Sequence, residues 1–167
     1  QATAGNRWYQ VTTYACTACH GFHLERVTTP NRQPATPPIS TPAQVGPRSY
    51  VLVDVENLTA GASLTCDELS QLWTTIRSDL GLTDHDHIIV GAAVAVSRRY
   101  RPVIRGTNIS WVVGAQAADG ADQALLAATN LIQVAAQFDQ LVIISGDHAF
   151  ADLARRAQNR SLQVHVV

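Results

Sequence analysis

Four aspartates stand where an α/β chain can do chemistry. Asp54 lies at the end of the apolar run YVLVDV (50–55), and Asp147 follows the apolar run QLVIISG (140–146). Asp119 and Asp122 belong to the DGAD stretch that opens a helical pattern. In open α/β sheets, functional groups gather at the carboxyl ends of strands, above all where the strand order reverses. Carboxylates brought together there repel one another unless a cation lies between them or one of them takes a proton. Hard cations such as Mg2+ accept a few carboxylates and retain water, and a site of that kind can activate water for attack on a phosphodiester. The same residues also have a structural use. Asp119 and Asp147 stand where an Asp side chain caps a helix, and Asp122 suits the positive end of the helix dipole. Asp54, followed by Glu56 and Asn57, shows no such use.

The elements that must position these acids follow from periodicity. YVLVDV is continuously apolar and β-branched, as a strand buried on both faces is. Thr65-Cys66-Asp67-Glu68 is a capping box that opens a helix to about Leu80, which Gly81 ends. HIIVGAAVAV (87–96) predicts the second strand, NISWVVGA (108–115) the third, QLVIISG the fourth and LQVHVV the fifth. Helices are expected from Asp119 to about Gln137 and from Asp147 to Asn159. Strands that alternate with helices imply right-handed βαβ units and a parallel sheet.

A basic segment follows the second strand. Arg98, Arg99, Arg101 and Arg105, with Tyr100 among them, are expected at the same edge as the acids, as a loop able to contact phosphates and stack unpaired bases. A solvated loop is the plain alternative. Near the N-terminus, YACTACHGFHLE holds Cys16 and Cys19 at the C-x-x-C spacing that grips Zn2+, with His23 and His20 as further nitrogen ligands. A disulfide between the two cysteines is the other reading. Cys66, inside the capping box, reads as a buried or half-buried thiol.

Composition bounds the rest. The 167 residues suffice for one packed domain and a small appendage, and 46% hydrophobic against 15% charged residues indicates a globular chain. No apolar run approaches the roughly 20 residues of a membrane span, and no signal segment is recognisable, so a cytoplasmic protein is expected. Six of the seven prolines fall within 28–48, which reads as an extended linker between a small segment, 1–27, and the α/β region, 49–167. Residues 50–167 carry eight Arg against twelve acids, an imbalance that a cation-binding carboxylate cluster would partly explain. A Rossmann-type nucleotide site is poorly supported, because no glycine-rich loop follows the first strand.

YVLVDVENL, DGADQALL and LVIISGDHAFADLARRAQNRSLQVHVV together resemble the three successive motifs of NYN domains, a branch of the PIN-like ribonucleases, over roughly 49–167. The resemblance implies a three-layer α/β/α fold, with strand order 3-2-1-4-5 when counted from YVLVDV. It also implies an acidic pocket that binds Mg2+ or Mn2+ and an endoribonuclease activity on RNA. Carried over, Asp54 is a metal ligand, Asn57 positions it or the substrate, and Asp122 and Asp147 complete the acidic set. Many family members have an acid two residues after the SGD aspartate and another about six after the GAD aspartate; here these are Ala149 and Ala128. Asp119, Asp152 or Glu56 would then complete the ligand set. A nucleic-acid-binding or regulatory module with a degenerate site is the alternative. The segment around Cys16 is similar to a small zinc-ribbon-like motif.

Overall fold

Buried β-branched residues build the sheet that carries the acids. In the computed structural model, residues 10–15, 22–27, 46–117 and 119–167 are described, the first two segments by their backbone alone. Five parallel strands form the centre: β3 (Ser49–Asp54), β4 (His87–Ala93), β5 (Ile109–Gly114), β6 (Gln140–Ile144) and β7 (Gln163–Val166). They are ordered β5-β4-β3-β6-β7, the 3-2-1-4-5 order expected from the resemblance. Two further strands, β1 (Gln10–Ala15) and β2 (Phe22–Val27), form an antiparallel pair, and β1 adds antiparallel to β7 through Gln10 and His165. Cys16, Cys19, His20 and most of 28–48 lie outside the described residues, and His23 lies in β2, where only the backbone is described.

Alternation along β3 makes the three layers. Tyr50 and Leu52 face a core shared with Leu125, Leu131, Leu141, Ile143, Phe150 and Leu153, whereas Val51 and Val53 face Leu69, Trp73, Ile88, Val90, Tyr100 and Ile104. One face is thus covered by α2 (Cys66–Asp79) and α3 (Val94–Tyr100). The other is covered by α4 (Gly120–Ala128), α5 (Leu131–Gln137) and α6 (Ala151–Gln158). Leu52 is fully buried, and truncating such a residue to Ala typically costs about 2–5 kcal/mol. At the amino edge of the sheet, the Asp86 carboxylate accepts the Ser49 N–H at 2.7 Å, and Asp139 accepts the Arg48 N–H at 2.8 Å, which anchors the entry to β3.

The expected elements hold in kind, with three differences. The capping box forms: the Thr65 hydroxyl accepts the Glu68 N–H at 3.2 Å, and the Glu68 carboxylate accepts the Thr65 N–H at 2.8 Å. β4, however, stops at Ala93, and the Arg-rich stretch is the helix α3 rather than a loop. The helix expected from Asp119 to Gln137 is two helices. Thr129 turns extended, and the Asn130 side chain caps α5 by accepting the N–H groups of Ile132 and Gln133. A 3-10 turn, His148–Phe150, precedes α6.

Two glycines seat α4 against the sheet. A Cβ on Gly114 would lie 2.1 Å from the Gly120 carbonyl oxygen, and one on Gly120 would lie 2.1 Å from the Ala115 carbonyl oxygen. Both obstacles are backbone, so no side-chain rotation relieves them. Gly114→Ala is therefore expected to cost about 1–3 kcal/mol through overpacking and to displace the start of α4. A thermal melt matching the wild type would contradict this.

Candidate active site

Pairing of β3 with β6 sets Val53 beside Ile144, so Asp54 and Ser145 emerge as neighbours at the carboxyl edge. The strand order reverses between these two strands, since the chain steps outward from β3 to β4 and β5 and then returns to β6. Asp54 is 5% exposed. Its Oδ1 accepts the Asn57 N–H at 3.2 Å, and its Oδ2 accepts the Ser145 hydroxyl at 3.0 Å. Ser145 Oγ in turn accepts the Asp147 N–H at 3.1 Å, and the Asn57 side-chain oxygen accepts the Gly146 N–H at 3.0 Å. These bonds tie the two loops together. Asp54 therefore has the structural use that its sequence context did not reveal: it caps the one-turn helix α1 (Val55–Leu58).

The other acids arrive from two directions. Asp147 caps the 3-10 turn, its Oδ1 accepting the Ala149 N–H at 2.8 Å. Asp122 sits in the first turn of α4 and is buried. Asp119 is not the side-chain cap expected of it. Its backbone is left-handed, at φ 59, and its side chain makes no capping bond. That conformation is one Asp tolerates better than most residues. One carboxylate oxygen from each of Asp119, Asp122 and Asp147 lies within 4.8 Å of the other two.

These side chains line a cavity of about 190 Å3 with Asp54, Glu56, Asn57 and Ala121. Glu56 holds its Oε1 on the Ala93 N–H at 2.7 Å. Burial foremost, and then the charges of Asp54 and Asp147, raise the Asp122 carboxyl from 3.8 to about 6; a hydrogen bond with Asp54 and the charge of Asp119 add to the rise. Five carboxylates with no basic side chain lining the cavity form a donor set suited to a hard divalent cation. Larger depressions, of about 380 and 630 Å3, lie at the opposite edge, and each gathers a single acid.

Several expected site residues lie elsewhere. Asp152 is not at the cavity: it pairs with Arg155 and, at 3.6 Å, with Arg156. Tyr100 is fully buried, and its hydroxyl donates to the Leu64 carbonyl at 2.6 Å, so it belongs to the core and offers no surface for base stacking. The Arg99 guanidinium lies over the Tyr100 ring and donates to the Ala62 and Leu64 carbonyls at 2.9 and 2.7 Å. It closes the turn that precedes α2, and these contacts engage one face and two N–H groups of its exposed guanidinium. Arg98 and Arg101 are exposed along α3 and at its end. Arg105 lies near the opposite edge, among α2 residues. Sequence reasoning missed Ser145 as the link between Asp54 and Asp147; a hydroxyl directly after an apolar strand was the signal available.

Residues 48–167 match the family model described as the NYN domain. The chain belongs to the NYN domain family. That family is one of PIN-like nuclease domains, and the five-strand order and the acidic cavity at the switch point agree with it. No curated protein and no solved structure matches the chain. Within this NYN domain, Asp54, Asp122 and Asp147 of the three motifs meet at one cavity, and Asp119 joins them.

Proposed function

We propose that this NYN domain is a metal-dependent endoribonuclease that hydrolyses RNA phosphodiester bonds at the acidic cavity. The observation that carries the reading is the convergence of Asp119, Asp122 and Asp147 within 4.8 Å, next to the anchored Asp54. Those three residues would hold Mg2+ or Mn2+, with Asp54 beside them. Such an ion supplies positive charge against the charge that develops on the phosphate. The chain's own groups do the remaining work. Asn57 and Ser145 fix Asp54 and the Gly146 loop, so the carboxylates need little rearrangement on binding. Glu56 keeps Oε1 on the Ala93 N–H, which leaves Oε2 to accept a proton from the attacking water. Exposed Arg98 and Arg101 supply cations for the substrate backbone.

The second reading, a nucleic-acid-binding module without catalysis, draws on Ala149, where many relatives carry an acid. Asp119 answers it by bringing a carboxylate to the cavity from another loop. A 5′-labelled, unstructured RNA incubated with the full chain should be cut internally with Mn2+ and stay intact with chelator. RNA that is bound but uncut under both conditions favours the second reading. Cleavage that survives chelation contradicts the metal requirement.

A further inference from the structure

A groove distinct from the acidic cavity lies between α2 and the turn leading into β5. Ser70, Trp73, Thr74, Arg77 and Ser78 contribute from α2, with Leu82, Val103 and Arg105 facing them, around a volume of about 500 Å3. The α2 residues follow the i, i+3, i+4, i+7, i+8 spacing that places side chains on one helical face. Three hydroxyls and the Arg77 guanidinium of α2 therefore line one depression with Arg105, and the Thr74 hydroxyl donates to the Ser70 carbonyl at 2.8 Å. Arg105 is exposed and has no hydrogen-bond or ion-pair partner among the described residues. Arg77 has Asp84, but at 3.4 Å and with the Asp84 side chain 82% exposed; such a surface pair is worth little and yields to a better anion. Trp73 is only 5% exposed, so the groove offers hydroxyls and charge rather than a stacking ring.

The position of the groove relates it to the cavity. Leu82 precedes β4 and Arg105 precedes β5, so the groove opens towards the amino edge, whereas the carboxylates sit at the carboxyl edge. The seven residues of β4 separate the two edges by roughly 20 Å. α3, about 10 Å long, covers half of that distance, and the turn from Arg101 to Arg105 covers the remainder. The helix starts beside Ala93, which Glu56 of the cavity holds, and runs back towards Arg105 with Arg98 and Arg101 exposed on the way.

We propose that the Arg77–Arg105 groove is a second RNA subsite. It takes phosphodiesters of a single strand whose scissile bond lies at the acidic cavity, with Arg98 and Arg101 along the path between them. This rests on RNA being the substrate of that cavity. Guanidinium forks suit phosphate oxygens, the Ser70 and Ser78 hydroxyls suit phosphate or ribose oxygens, and Thr74 Oγ1, which donates to the Ser70 carbonyl, can accept from a ribose hydroxyl. A strand that spans both places gains cation contacts that a short oligonucleotide cannot reach.

The test measures binding by fluorescence anisotropy on the full chain, with Ca2+ in place of Mn2+ so that a cation offsets the cavity carboxylates, and with the probe checked on a gel to be uncut. The probes are unstructured RNAs of about 12 and about 4 nucleotides, over a series of salt concentrations. With the longer RNA, an Arg77→Ala/Arg105→Ala double variant should bind about tenfold more weakly. The slope of log affinity against log salt should be shallower by about 1.4, or 0.7 per lost phosphate contact. The shorter RNA should bind wild type and variant alike, and Arg77→Lys/Arg105→Lys should recover most of the slope. Unchanged affinity and slope with the longer RNA would overturn the proposal, as would no measurable binding by wild type or equal losses at both lengths. Tighter binding of duplex than of single-stranded RNA would overturn the single-strand assignment. Mn2+-dependent cleavage by the wild type is scored separately. Cleavage with an unchanged slope removes the groove and keeps the nuclease, whereas a changed slope without cleavage does the reverse.

Discussion

Asp147→Asn is expected to reduce RNA cleavage by about a hundredfold or more while leaving the fold intact. The structure separates the two roles of this residue. As a cap, Asp147 needs only one side-chain oxygen, which accepts the Ala149 N–H at 2.8 Å, and Asn supplies an equivalent oxygen. Its backbone N–H remains on Ser145 Oγ, so the tie between the loops is untouched. Stability should change by no more than about 1 kcal/mol. As a ligand, the residue loses its charge, and Mg2+ and Mn2+ bind carboxylates far better than amides. Paired cleavage assays and thermal melts on wild type and variant check this. Full activity in the variant would reduce Asp147 to a cap, and loss of the fold would mean that the cap and the ligand cannot be separated.

The second large effect comes from Asp122, whose carboxyl is raised from 3.8 to about 6 in the metal-free protein by burial and then by neighbouring carboxylates. Below about pH 4 both folded and unfolded chains hold this proton, and the group costs nothing. Between 3.8 and about 6 the folded chain binds the proton more tightly. Stability from this group therefore falls as pH rises through that window, and the penalty is complete above it. Asp122→Asn removes the ionisable group. The metal-free variant should melt higher than wild type at pH 8, with the difference vanishing near pH 4. Mn2+ should reverse the order at pH 8. At a hundredfold excess over its dissociation constant, a ligand stabilises the native state by about 2.7 kcal/mol, and only the wild type should gain this in full. Scanning calorimetry at pH 4 and 8, with and without Mn2+, reads all four states. A variant less stable than wild type in chelator at pH 8 would show that the Asp122 charge is not a burden on the fold.

The centre of the sheet was legible because β3, β4 and β6 are buried on both faces and read as nearly unbroken apolar runs. Edges and breaks were less so. Val94 and Val96 continue the apolar run of β4, yet the chain turns helical there, where Glu56 takes the Ala93 N–H and Tyr100 reaches the core. The Arg residues around Tyr100 suggested a surface loop. The spacing of Val96, Tyr100 and Ile104 at successive i+4 steps was the helical signal within it, and these side chains pack in one core. Asp54, Asp122 and Asp147 could be named from their motifs, but their mutual bonds depend on which strands adjoin, and no local pattern encodes that. Ser145 is the clearest case, a single hydroxyl that matters because β6 lies beside β3. Asp119 entered the cluster through a left-handed backbone angle that its sequence context does not announce.

The account turns on whether the acidic cavity holds the metal. Anomalous diffraction from crystals soaked in Mn2+ places that ion directly. The prediction is a peak in the cavity, with carboxylate oxygens of Asp119, Asp122 and Asp147 about 2–2.3 Å away; the peak should be absent from Asp122→Asn crystals treated alike. A cavity without Mn2+ in crystals of protein that cleaves RNA, or a peak bound only by residues outside the cavity, would contradict it.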